Sequence, residues 1–261
     1  MLLVGSPTAA LAGMTIGSGV GALAGWAGCG RPGLHRDVQA PALATVRASA
    51  ALLGFVVLFN LDLLLARHHL PALAAGEYAV GSIVAKVAFW LPQGVGVVLL
   101  PRLADAGRRH RVLGPALALV AASGAALTLA TAALGSRALP LIGGSAYGPA
   151  LGAATWCFAA LGTLLALTQL LLFSDIAGAG RVPGAVVWTA AVAECAVLEA
   201  LAAVDALSPR TVVSTATLTA VTLVGAGLVR LRRERAASGR AVLSPAAAAD
   251  GSAAPPVPQP R

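Results

Sequence analysis

The chain has 261 residues, of which 58% are hydrophobic and 11% charged, with a mean hydropathy of +0.84. Soluble domains carry about 25% charged residues, so a conventional soluble enzyme is excluded. Disorder over most of the chain is excluded too, because it requires low hydrophobicity. With 30 Gly, 16 Pro and 4% aromatic residues, what remains is an all-α polytopic membrane protein rich in small residues.

The first apolar segment, Thr8 to Gly28, carries Gly13, Gly17, Gly21 and Gly25, one glycine every fourth residue. In a helix these fall on one stripe and let another backbone approach. The stripe serves either as a sliding interface or as plain close packing. Six more segments follow, each near the 20 apolar residues that span a bilayer: Ala48–Ala66, Tyr78–Leu100, Leu113–Gly135, Ala150–Phe173, Val182–Val204 and Val212–Val229. Short polar or punctuated stretches connect them. The domain reading is residues 1–30 as a lone helix, 31–47 as a cytoplasmic linker, 48–231 as a six-helix lobe and 232–261 as a disordered cytoplasmic tail.

Charge gives the expected orientation. Loops on one side, with the tail, hold 14 of the 18 Lys plus Arg. The opposite loops hold Arg67, Arg137 and Arg210, and Lys86 lies within a span. The positive-inside rule then places the C-terminus in the cytoplasm and the N-terminus outside, in a plasma (inner) membrane. The net charge of +8 and pI near 10.9 therefore point to membrane lipids. No nucleic-acid partner is expected, since no aromatic residues are interleaved with the arginines. Cys29, Cys157 and Cys195 are scattered with no CxxC pair and predict neither a disulfide framework nor a metal site.

Ionisable residues inside spans are costly and mark candidate sites. Asp62, Lys86, Glu194 and Glu199 fall there, with Asp175 near a span end. At 1.5 Å per residue, Asp62 lies about 6 Å and Lys86 about 12 Å from the outer ends of their segments. The two could face each other across a short hairpin, either as a structural ion pair or as part of a polar cavity. Asn60 and Gln93 add polar groups. Thr163 and Thr168 can simply bond their own helix. Pro92, in the middle of the third segment, predicts a kink or hinge. His68 and His69 sit beside Arg67 at the outer interface. No HExxH, GxSxG or Walker A motif and no acidic cluster is present, so neither enzymatic activity nor a cofactor is expected.

The run Leu52–Asp105 resembles the start of the C-terminal half of polysaccharide-biosynthesis membrane proteins, flippases of the multidrug/oligosaccharidyl-lipid/polysaccharide exporter superfamily. The matching residues are Asp62, then an Ala75-Gly76-Glu77-Tyr78 turn, a central Leu91-Pro92 and a Pro101-Arg102-Leu103 exit. Tyr147-Gly148-Pro149-Ala150 matches further along. The resemblance implies one six-helix lobe of two that rock around a central cavity, with the first segment as the last helix of a preceding lobe. It implies a second lobe or partner membrane chain, and a lipid-linked oligosaccharide or polysaccharide precursor as substrate. Lys86 and Arg67 would attract its phosphates. Asp62, Glu194 and Asn60 would bind sugar hydroxyls or a coupling cation. Two alternatives stay open: a small-molecule or drug antiporter of the same superfamily, and a non-transporting component or scaffold of a polysaccharide assembly complex.

Overall fold

The computed structural model describes residues 7–28, 39–92, 106–144, 151, 154–177 and 184–243. Every regular element among them is helical: α1 (Pro7–Gly28), α2 (Gln39–His69), α3 (Ala72–Trp90), α4 (Ala106–Leu134), a 3-10 turn (Gly135–Arg137), α5 (Ala138–Gly143), α6 (Thr155–Ala177), α7 (Gly184–Ala203) and α8 (Pro209–Leu243). Among the described residues, α2, α3, the α4–α5 stretch, α6, α7 and α8 are each long and apolar enough to cross a membrane. The protein is an all-α, membrane-embedded chain.

Two compact units divide the chain, Met1–Thr45 and Val46–Arg261. In the first, α1 occupies the first expected span. Leu11, Met14, Ile16, Val20 and Leu23 are all exposed on it. Thr15 and Ser18 return their hydroxyls to the carbonyls of Leu11 and Met14 at 2.9 and 2.8 Å. The glycine stripe is open, since a Cβ at Gly13, Gly17, Gly21 or Gly25 would meet nothing within 4 Å.

In the second unit the bundle is organised around α6, the most buried of the candidate spans, which packs on α3, α4 and α8. Lipid is as apolar as leucine, so helices in a membrane associate through close packing and hydrogen bonds rather than through hydrophobic exclusion. Glycines make that packing possible at each contact with α6. A Cβ on Gly124 of α4 would overlap Thr163, and one on Gly162 of α6 would overlap the Ala85 carbonyl of α3. Gly81 of α3 lies beneath the Phe158 ring, which a Cβ would approach to 2.5 Å, and Gly227 of α8 lies against Leu171. These four glycines position the helices that pack on α6. Away from α6 the large side chains point outward: Leu64, Leu129, Val192 and Leu218 are each more than 60% exposed, as lipid-facing positions should be. The hydroxyls of Thr163 and Thr168 bond the Ala159 and Leu164 carbonyls of α6, so neither is left bare in the bundle.

Several boundaries differ from the sequence reading. The chain reverses at Leu70–Pro71, and α3 begins at Ala72, six residues before the expected start at Tyr78. The Ala75–Tyr78 stretch is therefore helix, not a turn. The same shift corrects Pro92. A 19-residue α3 ends at Trp90, and Leu91 and Pro92 form a turn beyond it, the usual place for a proline that cannot continue a helix. Gln93 lies outside the described residues. At the other end α8 continues through the good helix formers Leu231–Ala237 to Leu243, so the expected disordered tail begins as helix; residues 244–261 lie outside the described residues. The α7 terminus closes with Asp205 N–H on the Ala202 carbonyl and Ala206 N–H on Leu201. Asp205 takes φ 53° there, a left-handed cap that Asp tolerates better than most residues.

Candidate functional site

The helix register brings four polar side chains together inside the bundle. Asp62 of α2 lies 8 residues before the Leu70–Pro71 reversal and Tyr78 of α3 lies 7 residues after it, so the hairpin sets them at one level. The Tyr78 hydroxyl donates to Asp62 Oδ2 at 2.6 Å, and the Leu63 N–H donates to Oδ1 at 2.8 Å. Tyr78 is fully buried, edge-on to Phe158 of α6 at 5.2 Å between centroids. The same Phe158 rests on Gly81, so the tyrosine is clamped between its own helix and α6.

Across from Asp62 stands Glu194 of α7, 3% exposed. It stands within reach of the Thr219 hydroxyl of α8 and interacts through space with Asp62. Its Oε1 is buried and has no hydrogen-bond partner among the described residues. Thr219 Oγ1 is also 3.1 Å from the Thr215 carbonyl. A hydroxyl has one proton to give, so it cannot donate to both acceptors at once. Asp62, Glu194 and Thr219, with Leu58, Leu161, Leu165, Ala216 and Ala220, line a cavity in which a water centre has about 10 Å³, near the size needed for one water.

Parallel packing of α2 and α7 holds the two carboxyls in place. Trp188 Nε1 donates to the Ala50 carbonyl at 3.0 Å, and its ring covers Gly54. Farther along both helices, Asp62 faces Glu194. At the far ends His69 Nε2 meets Glu199 Oε1 at 3.1 Å, with His68 edge-on to His69 at 4.7 Å. The order 50, 62, 69 on α2 against 188, 194, 199 on α7 is one register, so displacing either helix changes the acid pair.

The remaining candidates fall elsewhere. Lys86 does not pair with Asp62. Only a through-space attraction links them, and no ion pair joins them among the described residues. The cause is the early start of α3, which puts Lys86 14 residues from that helix end, about 21 Å by helical rise, while Asp62 is about 10 Å from the end of α2. Asn60 donates to the Val56 carbonyl of its own helix at 2.9 Å and Arg67 is exposed at the end of α2, so neither joins the cavity. Glu199 is drawn to His69 at the helix ends instead of to the bundle interior. Sequence reasoning missed Thr219 and the positioning role of Tyr78. The signal for Tyr78 was its distance from the reversal, within one residue of that of Asp62; a threonine within the Thr-rich run of α8 gives no comparable signal.

Chemically, the cavity offers two carboxyls and a hydroxyl with one oxygen unpartnered. Such an oxygen set suits a proton or a hard cation. Among the described residues no group of three or more His, Cys, Asp or Glu is placed to hold a metal ion. No protein-family model, curated protein or solved structure matches the chain.

Proposed function

We propose that the chain is a lobe of a membrane transporter in which Asp62, Glu194 and Thr219 bind a coupling proton or monovalent cation. The observation that carries this reading is the buried Glu194 Oε1, unpartnered and facing a cavity that also holds Asp62. Leaving a buried acceptor unsatisfied costs about 1–3 kcal/mol. A bundle that retains one beside a second carboxyl has a use for it, and ionisable groups in spans recur in proton relays and ion paths. Filling the cavity would tie α2, α7 and α8 together, and emptying it would release them, which is how a small ion biases a lobe that rocks.

The resemblance supplies the substrate class, a lipid-linked oligosaccharide or polysaccharide precursor. It also supplies a second lobe or partner membrane chain that completes the cavity, while the arginine distribution supports a plasma-membrane location with a cytoplasmic C-terminal end of α8. The acid pair, with Lys86 and Arg67 standing apart from it, favours as a second reading a small-molecule antiporter that exchanges cations.

The test is thermal unfolding of the detergent-solubilised full chain in sodium, potassium or choline salts and across pH, together with translocation of a labelled lipid-linked oligosaccharide in proteoliposomes. A cation- or pH-dependent midpoint that disappears in Glu194→Gln, with translocation driven by the same ion, is the expected result. Equal midpoints in all salts and at all pH values for wild type and Glu194→Gln would overturn the cation site. Cation binding without sugar-lipid movement, but with exchange of an organic cation, would select the antiporter.

A further inference from the structure

We infer that the crevice between α6, α7 and α8 at the level of Arg230 is a binding site for an anionic glycerophospholipid. The apolar stretch 212–229 of α8 rises about 27 Å, close to the thickness of a bilayer's hydrocarbon core at about 30 Å. The helix does not stop there but continues to Leu243. Residues 230–240 therefore enter the headgroup layer as helix, and they carry Arg230, Arg232, Arg233, Arg235 and Arg240 against a single acid, Glu234.

Next comes shape. The crevice is lined by Leu172 of α6, Val186 of α7, and Leu223 and Gly227 of α8, with Asp175 and Arg230 at its charged end. Gly227 keeps its floor open, since a Cβ there would press to 2.8 Å of Leu171. Asp175 Oδ2 holds Arg230 Nη1 at 3.4 Å and fixes the guanidinium at the mouth. One turn on, Arg233 lies on the same helix face, and Arg232 and Arg233 are both exposed. The arrangement is an apolar slot of acyl-chain character ending at a guanidinium, with two exposed arginines beyond it. Charge complementarity selects the occupant: a phosphate diester with no balancing cation in its headgroup. Guanidinium groups bind phosphate oxygens with paired N–H donors, and juxtamembrane arginines gain from anionic lipid individually. A zwitterionic lipid brings its own cation and loses most of that gain.

The experiment is native mass spectrometry of the full chain released from detergent after titration with phosphatidylglycerol or phosphatidylcholine of identical acyl chains. The expected result is preferential retention of phosphatidylglycerol, falling roughly 10-fold or more in the double variant Arg232→Gln/Arg233→Gln, whose exposed positions leave the fold intact. Val186→Trp, which fills the slot from a partly exposed position, is expected to lower retention with every arginine in place. Equal retention of the two lipids, or phosphatidylglycerol retention unchanged in the arginine variant, would overturn the site. Loss in the arginine variant with full retention in Val186→Trp would also overturn it, by leaving a charged collar without a bound chain.

Discussion

Replacing Gly162 with alanine tests the packing of the bundle at its centre. The new Cβ would overlap the Ala85 carbonyl oxygen and come within 2.8 Å of the Ala85 carbonyl carbon and 2.9 Å of Ala88 Cβ. Those are backbone and near-backbone atoms of α3, with no flexible end to swing aside. Relief therefore requires α3 and α6 to separate. Overpacking of this kind costs about 1–3 kcal/mol, and the backbone obstacle argues for the upper half. Alanine's better helix propensity returns up to about 1 kcal/mol, leaving a net loss of about 1–2 kcal/mol. For a chain of this size that lowers the thermal midpoint by roughly 2–8 °C. Gly17→Ala in α1 is the control: its Cβ meets nothing within 4 Å, so only propensity acts and the midpoint stays or rises. The assay is thermal unfolding of the detergent-solubilised chain by circular dichroism. A wild-type midpoint for Gly162→Ala, or equal losses for the two variants, would refute the assignment of packing glycines to α6 and its neighbours.

Tyr78→Phe keeps the ring against Phe158 and removes the donor to Asp62 Oδ2; it should cost about 1–3 kcal/mol, read as a lower unfolding midpoint, and no change would mean the bond is not made. Glu194→Met replaces a buried carboxyl with an apolar side chain of similar volume, a change that is often neutral or stabilising; its midpoint should match or exceed wild type while any cation response is lost. His69→Ala cuts the partly exposed link to Glu199 and should move stability by no more than about 1 kcal/mol, and a larger loss in denaturant titration would show that the pair does more than join helix ends. Trp188→Phe removes both the bond to the Ala50 carbonyl and the cover over Gly54; cysteines introduced on facing sides of α2 and α7 should then cross-link less efficiently.

Composition and segment length carried the class of fold into view, because a chain with 11% charged residues has few ways to be folded. Asp62 and Glu194 were legible for the same reason: a carboxyl in an apolar segment stands out. Their neighbours were harder, because partnership depends on register. Placing the start of α3 at Tyr78 instead of Ala72 put Lys86 opposite Asp62 and hid Tyr78. The Pro71 that ends the reversal was the better marker, since proline suits a helix start and not a helix interior. Periodicity gave no sign of the packing glycines: those under close contact, Gly54, Gly81, Gly124, Gly162 and Gly227, sit singly on five helices. Pairing between helices decides them, and no single segment records it. Helix extension past the apolar segment that ends at Val229 was missed because arginine runs read as a solvated tail although arginine is itself a good helix former.

Infrared difference spectroscopy in the carboxyl stretching region, on the full chain in lipid before and after adding a monovalent cation or changing pH, tests the acid pair most directly. Binding at Asp62 and Glu194 predicts a difference band that vanishes in Glu194→Gln and shifts in Tyr78→Phe. A flat difference spectrum, or a band that survives Glu194→Gln, would contradict it.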